Sequence, residues 1–248
     1  MVVAAFALSL LIGITLGLLG GGGSILTLPI LTYVAGLETK AAIAASLFVV
    51  AVTSAVSTVS HARAGRVQWR IGLVFGVAGM IGAQVGGALG RYLSGRTLMV
   101  LFAAVMVAAA IAMLRGRRGP GDRAAPTALP ILQILLLGIG VGVVAGLVGA
   151  GGGFLIVPAL VLLGGLPMDR AVGTSLLVIS MQSFSGFFKH LGHVQVDWPI
   201  TLGVTAAAIA GSFVGVAMAR RVQPATLRRA FGVFVLLMAA LVLSKELL

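Results

Sequence analysis

The chain contains no cysteine and little charge of either sign. Its 248 residues include 5 Asp and Glu and 17 Lys and Arg, so charged residues make up 9% of the chain, whereas soluble proteins carry about 25%. Without cysteine there is no disulfide framework, no thiolate metal site and no cysteine nucleophile. The first basic residue is Lys40, and because the apolar N-terminus has no positive region we expect no signal peptide.

Hydrophobic side chains are abundant instead. They make up 60% of the chain, and the mean hydropathy is +1.18. One soluble core of this size would leave many of these apolar groups exposed, which predicts an all-α integral membrane protein surrounded by the lipid bilayer. The formal charge of +12 comes from short clusters of Lys and Arg between apolar runs. We interpret these clusters as topology determinants, with no nucleic-acid partner.

Eight apolar runs approach the roughly 20 residues that a helix needs to cross a bilayer. These runs are Val2–Leu19, Ala41–Ser60, Ile71–Gly90, Leu98–Leu114, Leu129–Val148, Ala171–Phe188, Ile200–Ala219 and Ala230–Leu243. Two shorter apolar stretches, Ser24–Gly36 and Phe154–Gly165, follow glycine-rich breaks and are too short to cross as helices. A polar connector with four arginines, Arg115–Thr127, lies between the fourth and fifth runs.

The two halves of the chain are copies of each other. The segment Gly17–Leu31 aligns with Gly146–Leu160 at an offset of 129, and 31 of the 98 positions from Gly17 to Leu114 are identical at this offset, including both tryptophans. Such agreement indicates an internal repeat. We therefore expect a first repeat at 1–114, a basic cytoplasmic linker at 115–128 and a second repeat at 129–248.

The distribution of basic residues predicts how the two repeats are oriented. If each first segment simply crosses, the repeats are parallel and the two sides hold 9 and 8 Lys and Arg residues. If each first segment is a hairpin that turns at its glycines, the repeats are inverted and the two sides hold 12 and 5. Because cytoplasmic loops collect Lys and Arg, we expect inverted repeats, each consisting of a broken-helix hairpin and three transmembrane helices.

Consecutive glycines interrupt the first segment of each half. Glycine costs about 1 kcal/mol relative to alanine inside a helix, so GGGG and GAGGG predict breaks. A break leaves free backbone N–H groups at the start of the next half-helix, which favours an anion. Close packing is the alternative role, and we assign it to spaced glycines such as Gly82 and Gly86. The predicted substrate-binding backbone is Gly20, Gly21, Gly22, Gly23, Ser24, Gly149, Ala150, Gly151, Gly152 and Gly153.

The next helix of each half carries a polar stripe on one face. Its members at spacings of seven and four are Ser46, Thr53, Ser57 and His61, and their counterparts are Ser175, Gln182, Gly186 and His190. We expect Ser46 and Ser175 to bind the anion because both halves retain them. The alternative is that each hydroxyl bonds the carbonyl one turn back in its own helix. For Thr53 and Ser57 the two roles, lining the pathway and bonding their own helix, are equally open.

The remaining polar candidates lie at the ends of these helices or within them. His61 and His190 are candidates for gating or proton sensing. The alternative is that they are simply solvated at the membrane interface. Gln182 is a pathway candidate. No Asp or Glu lies inside an apolar run, and because cation pathways generally use such acids we expect an anionic or neutral substrate. The sequence indicates no metal site and no cofactor, and it leaves proton coupling without an obvious carrier.

The duplicated G-L-x-G-x-G-G block, followed by L-x-x-P-x-L and A-x-x-x-S-L, resembles the sulfite exporter TauE/SafE family. The motifs lie at Gly17–Leu31 with Ala42–Leu47 and at Gly146–Leu160 with Ala171–Leu176. The resemblance implies a transporter of the bacterial cytoplasmic membrane that exports sulfite or an organosulfonate. An anion channel or an importer of a related small anion is the alternative. An enzyme is not expected, because the spans show no nucleophile or base. The oligomeric state remains open.

Overall fold

The computed structural model describes residues 2–90, 92, 94–115, 130–148, 153–191 and 194–247. Within these ranges the chain forms ten α-helices and no strand, which confirms the all-α prediction. The helices are α1 (Val2–Leu19), α2 (Gly22–Pro29), α3 (Thr39–Arg63), α4 (Trp69–Gly90), α5 (Gly95–Leu114), α6 (Ile131–Val148), α7 (Gly153–Pro158), α8 (Met168–Leu191), α9 (Trp198–Ala219) and α10 (Pro224–Leu247). Gly149, Ala150, Gly151, Gly152 and nearly all of the linker lie outside the described residues.

The two shortest helices continue as π-helices. After Pro29 the chain of α2 widens into a π-helix at Ile30–Val34, and after Pro158 that of α7 does the same at Ala159–Leu163. A proline has no N–H to donate within the helix, so the ladder is already interrupted at this point. Both π-helices are followed by a glycine of positive φ, Gly36 at +72° and Gly165 at +63°.

Five helices are long and apolar enough to cross a bilayer, and five more are apolar but shorter. The long ones lie at Lys40–Arg63, Trp69–Gly90, Met168–Leu191, Trp198–Ala219 and Pro224–Leu241. Large apolar side chains on their outer faces are exposed. In α4 these recur every fourth residue, as expected for a face against lipid: Leu73, Val77, Ile81, Val85 and Leu89, which are 48–57% exposed. The chain is therefore a multi-pass membrane protein.

The helices of the two halves correspond in position and in packing. Four helices of the second half start 129 residues after a counterpart in the first half: α6 after α1, α8 after α3, α9 after α4 and α10 after α5. Helix α1 packs against α9 as α6 packs against α4, while α3 pairs with α8, α5 with α10 and α2 with α7. The halves thus exchange equivalent contacts, as the subunits of a two-fold dimer do.

Glycines bring α1 and α9 into backbone contact. A methyl group added at Gly13 would collide with the Ala208 carbonyl oxygen, and one added at Gly17 with the Ser212 carbonyl oxygen. The contacts advance in the same direction along both helices, so α1 and α9 are parallel. This is the small-residue packing of membrane helices.

Helices α4 and α6 pack in the same way. A methyl group at Gly82 would collide with the Ile139 carbonyl oxygen, and one at Gly86 with the Val143 carbonyl oxygen. These spaced glycines lie at helix contacts, as we expected from their spacing. Each of the two closely packed pairs takes one helix from each half.

The equivalent helices α3 and α8 run antiparallel. Leu47 near the start of α3 lies against Gly186 near the end of α8, while His61 near the end of α3 lies against Gly173 near the start of α8. These two helices are the most deeply buried of the candidate spans.

Candidate functional site

The first glycine run reverses the direction of the chain. Helix α1 ends at Leu19, and Gly20 adopts a φ of +79°, which an L side chain rarely allows. Gly23 then lies against Ile12 and Leu16 of α1, and the π-helix that follows also packs on α1. The segment is therefore a hairpin, because a helix continuing straight on would carry these residues away from α1.

The start of α2 presents backbone donors at this turn. Gly21 occupies the N-cap position without a side-chain cap, and the first N–H groups of any helix have no acceptor within it. The Ser24 hydroxyl does not cap them, because it donates to the Gly21 carbonyl at 2.8 Å. Gly22 and Gly23 are buried, so these N–H groups are not at the protein surface.

The start of α7 meets the first turn. A methyl group at Gly21 would collide with the Gly153 carbonyl oxygen, and one at Gly153 would come within 2.9 Å of the Ser24 hydroxyl. A methyl group at Gly20 would meet the Ser175 hydroxyl. Gly20, Gly21, Ser24, Gly153 and Ser175 thus form one cluster, which we call the turn cluster, with members from both halves.

The two predicted serines make the same bond. Ser46 donates to the Ile43 carbonyl and Ser175 to the Val172 carbonyl, both at 2.8 Å. These are the bonds one turn back that were the alternative for such hydroxyls. Ser175 lies in the turn cluster, whereas Gly149, the counterpart of Gly20, is outside the described residues. Either hydroxyl must rotate before it can donate to a ligand.

Two other hydroxyls on α3 are buried without a hydrogen-bond partner among the described residues. Thr53 and Ser54 are both 0% exposed, and neither hydroxyl has a hydrogen-bond partner in the described part of the chain. Ser57 is also buried but donates to the Thr53 carbonyl at 2.8 Å. Our sequence reasoning missed Ser54, although Ser183 matches it at the offset of 129 and is buried as well.

His61 links α3 to the end of α1. Its Nε2 atom lies 3.1 Å from the Gly17 carbonyl oxygen. In a continuous helix Gly21 would use that carbonyl, but here the Gly21 N–H bonds Leu19 instead. The ring is 1% exposed, so His61 is not the solvated interface histidine that was the alternative. Its Nδ1 atom has no hydrogen-bond partner among the described residues.

The remaining candidates on α8 lie elsewhere. A methyl group at Gly79 of α4 would meet the Gln182 side-chain nitrogen, so Gln182 faces α4. His190 Nδ1 lies 2.9 Å from the Gly186 carbonyl of its own helix. No described contact joins either side chain to the turn cluster.

The two ends of the α3–α8 pair are closed by different chemistry. At the end where α3 finishes, the Gln68 N–H donates to the Thr174 hydroxyl at 3.0 Å, and Arg66 Nη1 donates to the Ala219 carbonyl at 3.4 Å. At the opposite end an aromatic cluster forms: the Phe48 ring lies 5.2 Å from Phe187 and 5.4 Å from Trp198. We call the first of these the polar end and the second the aromatic end.

An apolar groove on the outer face of α4 and α6 is not the candidate site. It has a volume of about 420 Å³ and an apolar lining of α4 and α6 side chains, including Leu73, Val77 and Leu135. These side chains belong to the exposed apolar face. The turn cluster is closely packed instead.

Comparisons with known proteins give a consistent result. The family model described as Sulfite exporter TauE/SafE matches residues 5–242. A probable membrane transporter protein of Xylella fastidiosa (strain 9a5c) is 35% identical over 241 residues, covering 95% of this chain and 92% of the relative. Probable membrane transporter proteins of Methanocaldococcus jannaschii and Bacillus subtilis (strain 168) are 29% and 27% identical, each covering 89% of both chains. No solved structure is significantly similar.

Proposed function

Because the chain belongs to the sulfite exporter TauE/SafE family, we propose that it is a secondary transporter that exports sulfite or an organosulfonate. Its relatives are named as probable membrane transporters, whereas the identity of the transported anion and the direction of transport are our inference. The absence of Asp and Glu from the apolar runs supports an anionic cargo. In bacteria we assign it to the cytoplasmic membrane.

The observation that carries this proposal is the turn cluster. The start of α2, which follows the break in the first half, meets the start of α7 there, with Gly21 against Gly153 and Ser175 beside Gly20. Transporters commonly bind their substrate at such breaks, where half-helix N-termini point at anionic groups. Oxygens of a sulfur oxyanion accept several charge-assisted hydrogen bonds, and free N–H groups with the Ser175 hydroxyl provide the donors.

We propose that Gly149, Ala150, Gly151 and Gly152 complete the site from the second half, with Ser46 beside them. The offset of 129 that relates Gly20 and Ser175 to Gly149 and Ser46 supports this assignment. Thr53 and Ser57 then continue the route along α3. No lysine or arginine is required at the centre, which keeps binding weak enough for release.

We also propose that the two repeats are inverted. The antiparallel packing of α3 against α8 supports this orientation, because equivalent helices of parallel repeats point the same way. Arg66, Arg170 and Arg220 lie at the polar end of this pair, while Lys40 and Lys189 lie at the aromatic end. The positive-inside rule then assigns the polar end to the cytoplasm.

Counterflow in liposomes tests the function. Vesicles containing the purified protein and loaded with unlabelled sulfite are expected to take up labelled sulfite transiently above equilibrium. A channel, the second candidate, conducts without such exchange. Absence of any protein-dependent flux of sulfite and organosulfonates would overturn the proposed function.

A matched pair of serines tests the site. Ser175→Ala is expected to weaken apparent sulfite affinity about tenfold, the effect of losing one hydrogen bond to a charged group. Ser212 makes the same bond one turn back, at 2.8 Å to Ile209, and is also 0% exposed. Because Ser212 lies on α9, outside the turn cluster, Ser212→Ala is expected to transport normally. Equal effects of the two changes would contradict the assignment of Ser175.

A further inference from the structure

His61 is the one ionisable residue among the buried polar side chains that the structure describes. It lies on the polar face of α3 that includes Thr53 and Ser57, and it contacts the carbonyl that the first turn releases from α1. Ionisable groups within membrane segments are costly and generally functional. The position therefore requires an explanation in terms of what the ring binds.

The protonation pattern of the ring follows from its neighbour. The Gly17 carbonyl can only accept a hydrogen bond, so His61 Nε2 carries the hydrogen that it receives. In a neutral imidazole the other nitrogen is then an acceptor. Nδ1 is thus a buried acceptor without a donor among the described residues, and such atoms are rare in folded proteins.

The surrounding charges do not satisfy Nδ1. Among the described residues, Arg66 and Asp169 are the charged groups close enough to influence the ring, and α1 has no ionisable side chain between Val2 and Leu19. Arg66 donates instead to the Ala219 carbonyl. Asp169 lies at the start of α8, and no described hydrogen bond joins it to Nδ1.

The missing partner of Nδ1 is a donor, and a transported anion normally offers only acceptors. A singly protonated oxyanion offers both, because it carries an O–H beside its negative oxygens. Hydrogen sulfite, the main form of sulfite at mildly acidic pH, belongs to this class. A sulfonate has the same charge and a similar shape but no O–H. An acceptor in the pathway would therefore distinguish hydrogen sulfite from a sulfonate, the two substrates that the family resemblance left open.

We propose that His61 Nδ1 accepts a hydrogen bond from the O–H of a singly protonated oxyanion, so that the transporter prefers hydrogen sulfite to sulfonates. This inference rests on the proposed function and specifies its substrate. A site that hydrogen-bonds a substrate hydroxyl discriminates strongly against an analogue that lacks it. His61 is thus a specificity-determining residue, beyond its bond to Gly17.

The test compares two monoanions in the same liposomes. Fluxes of sulfite and methanesulfonate are measured at a mildly acidic pH, at which sulfite is mainly hydrogen sulfite. Glutamine at position 61 keeps an N–H that reaches the Gly17 carbonyl, but it has no acceptor at the Nδ1 position. His61→Gln is expected to lower the ratio of sulfite to methanesulfonate flux about tenfold, with methanesulfonate flux retained.

His190 provides the matched control, because it is the counterpart of His61 and bonds only its own helix among the described contacts. His190→Gln is expected to leave the flux ratio within twofold of wild type. An unchanged ratio in His61→Gln, or an equal loss of both fluxes, would make His61 purely structural and overturn the inference. If wild-type protein transports neither anion, the proposed function itself fails.

Discussion

At the scale of single residues, the buried hydroxyls of α3 differ in whether their own helix uses them. Ser57 and Thr58 donate to carbonyls one turn back, whereas Thr53 and Ser54 have no partner among the described residues. A buried hydroxyl without a partner destabilises the fold. Proteins commonly retain such groups where function requires them.

This difference predicts that removing the Ser54 hydroxyl stabilises the fold but impairs transport. Ser54→Ala is expected to raise the free energy of unfolding by about 1 kcal/mol, because it removes an unsatisfied polar group, and to lower sulfite flux severalfold. Ser57→Ala removes a bonded hydroxyl and is expected not to stabilise the protein. Thermal unfolding in detergent and liposome flux measure the two effects. A destabilised Ser54→Ala protein with full flux would contradict the prediction.

The sequence predicts the face on which these residues lie but not their bonds. Spacings of four place Thr53, Ser57 and His61 together, because helical geometry alone determines a face. The bonds depend on side-chain rotamers, which neighbouring helices set. Hence the sequence offered the back-bonds of Ser46 and Ser175 only as an alternative, and it did not predict the contact of His61 with Gly17.

At the scale of helices, glycine is the strongest signal in the chain. The glycine run at 20–23 predicts a break, and the structure has a hairpin there because Gly20 adopts positive φ. The π-helices after Pro29 and Pro158 were not predicted. A proline signals that a hydrogen bond is missing, but not that the ladder widens afterwards.

Two glycines on α6 provide a matched test of packing. A methyl group at Gly142 would collide with the Gly79 backbone, whereas one at Gly140 meets nothing within 4 Å. Gly142→Ala is expected to destabilise the protein by about 2 kcal/mol through overpacking. Gly140→Ala is expected to be neutral or stabilising, since alanine favours helix. Thermal unfolding compares them, and equal melting temperatures would contradict the proposed contact.

At the scale of the whole molecule, the offset of 129 predicts which helices are equivalent, and the structure adds how they pack. Pairing of α1 with α9 and of α6 with α4 was not predictable, because the offset relates elements without saying which surfaces meet. The positive-inside count predicts opposite orientations of the repeats, and α3 and α8 run antiparallel. Residues 149–152, four of the twelve predicted substrate-binding residues, lie outside the described residues.

The absence of cysteine allows a direct test of this orientation. Lys40 and Arg170 are exposed in the first turns of α3 and α8. With inverted repeats, Lys40→Cys is expected to react with an impermeant maleimide in intact spheroplasts, and Arg170→Cys only after lysis. The unmodified chain is the blank. Labelling of both positions from the same side would indicate parallel repeats.

The exchange of helices between the halves also affects how the protein is made. The ribosome completes α1 at Leu19, but α9 begins at Trp198, 179 residues later. Until then the glycine face of α1 has no permanent neighbour, and contacts between such distant segments form slowly. The translocon must therefore release the early helices before they are assembled. A truncated message that encodes only residues 1–114 would leave these helices without the partners against which they pack.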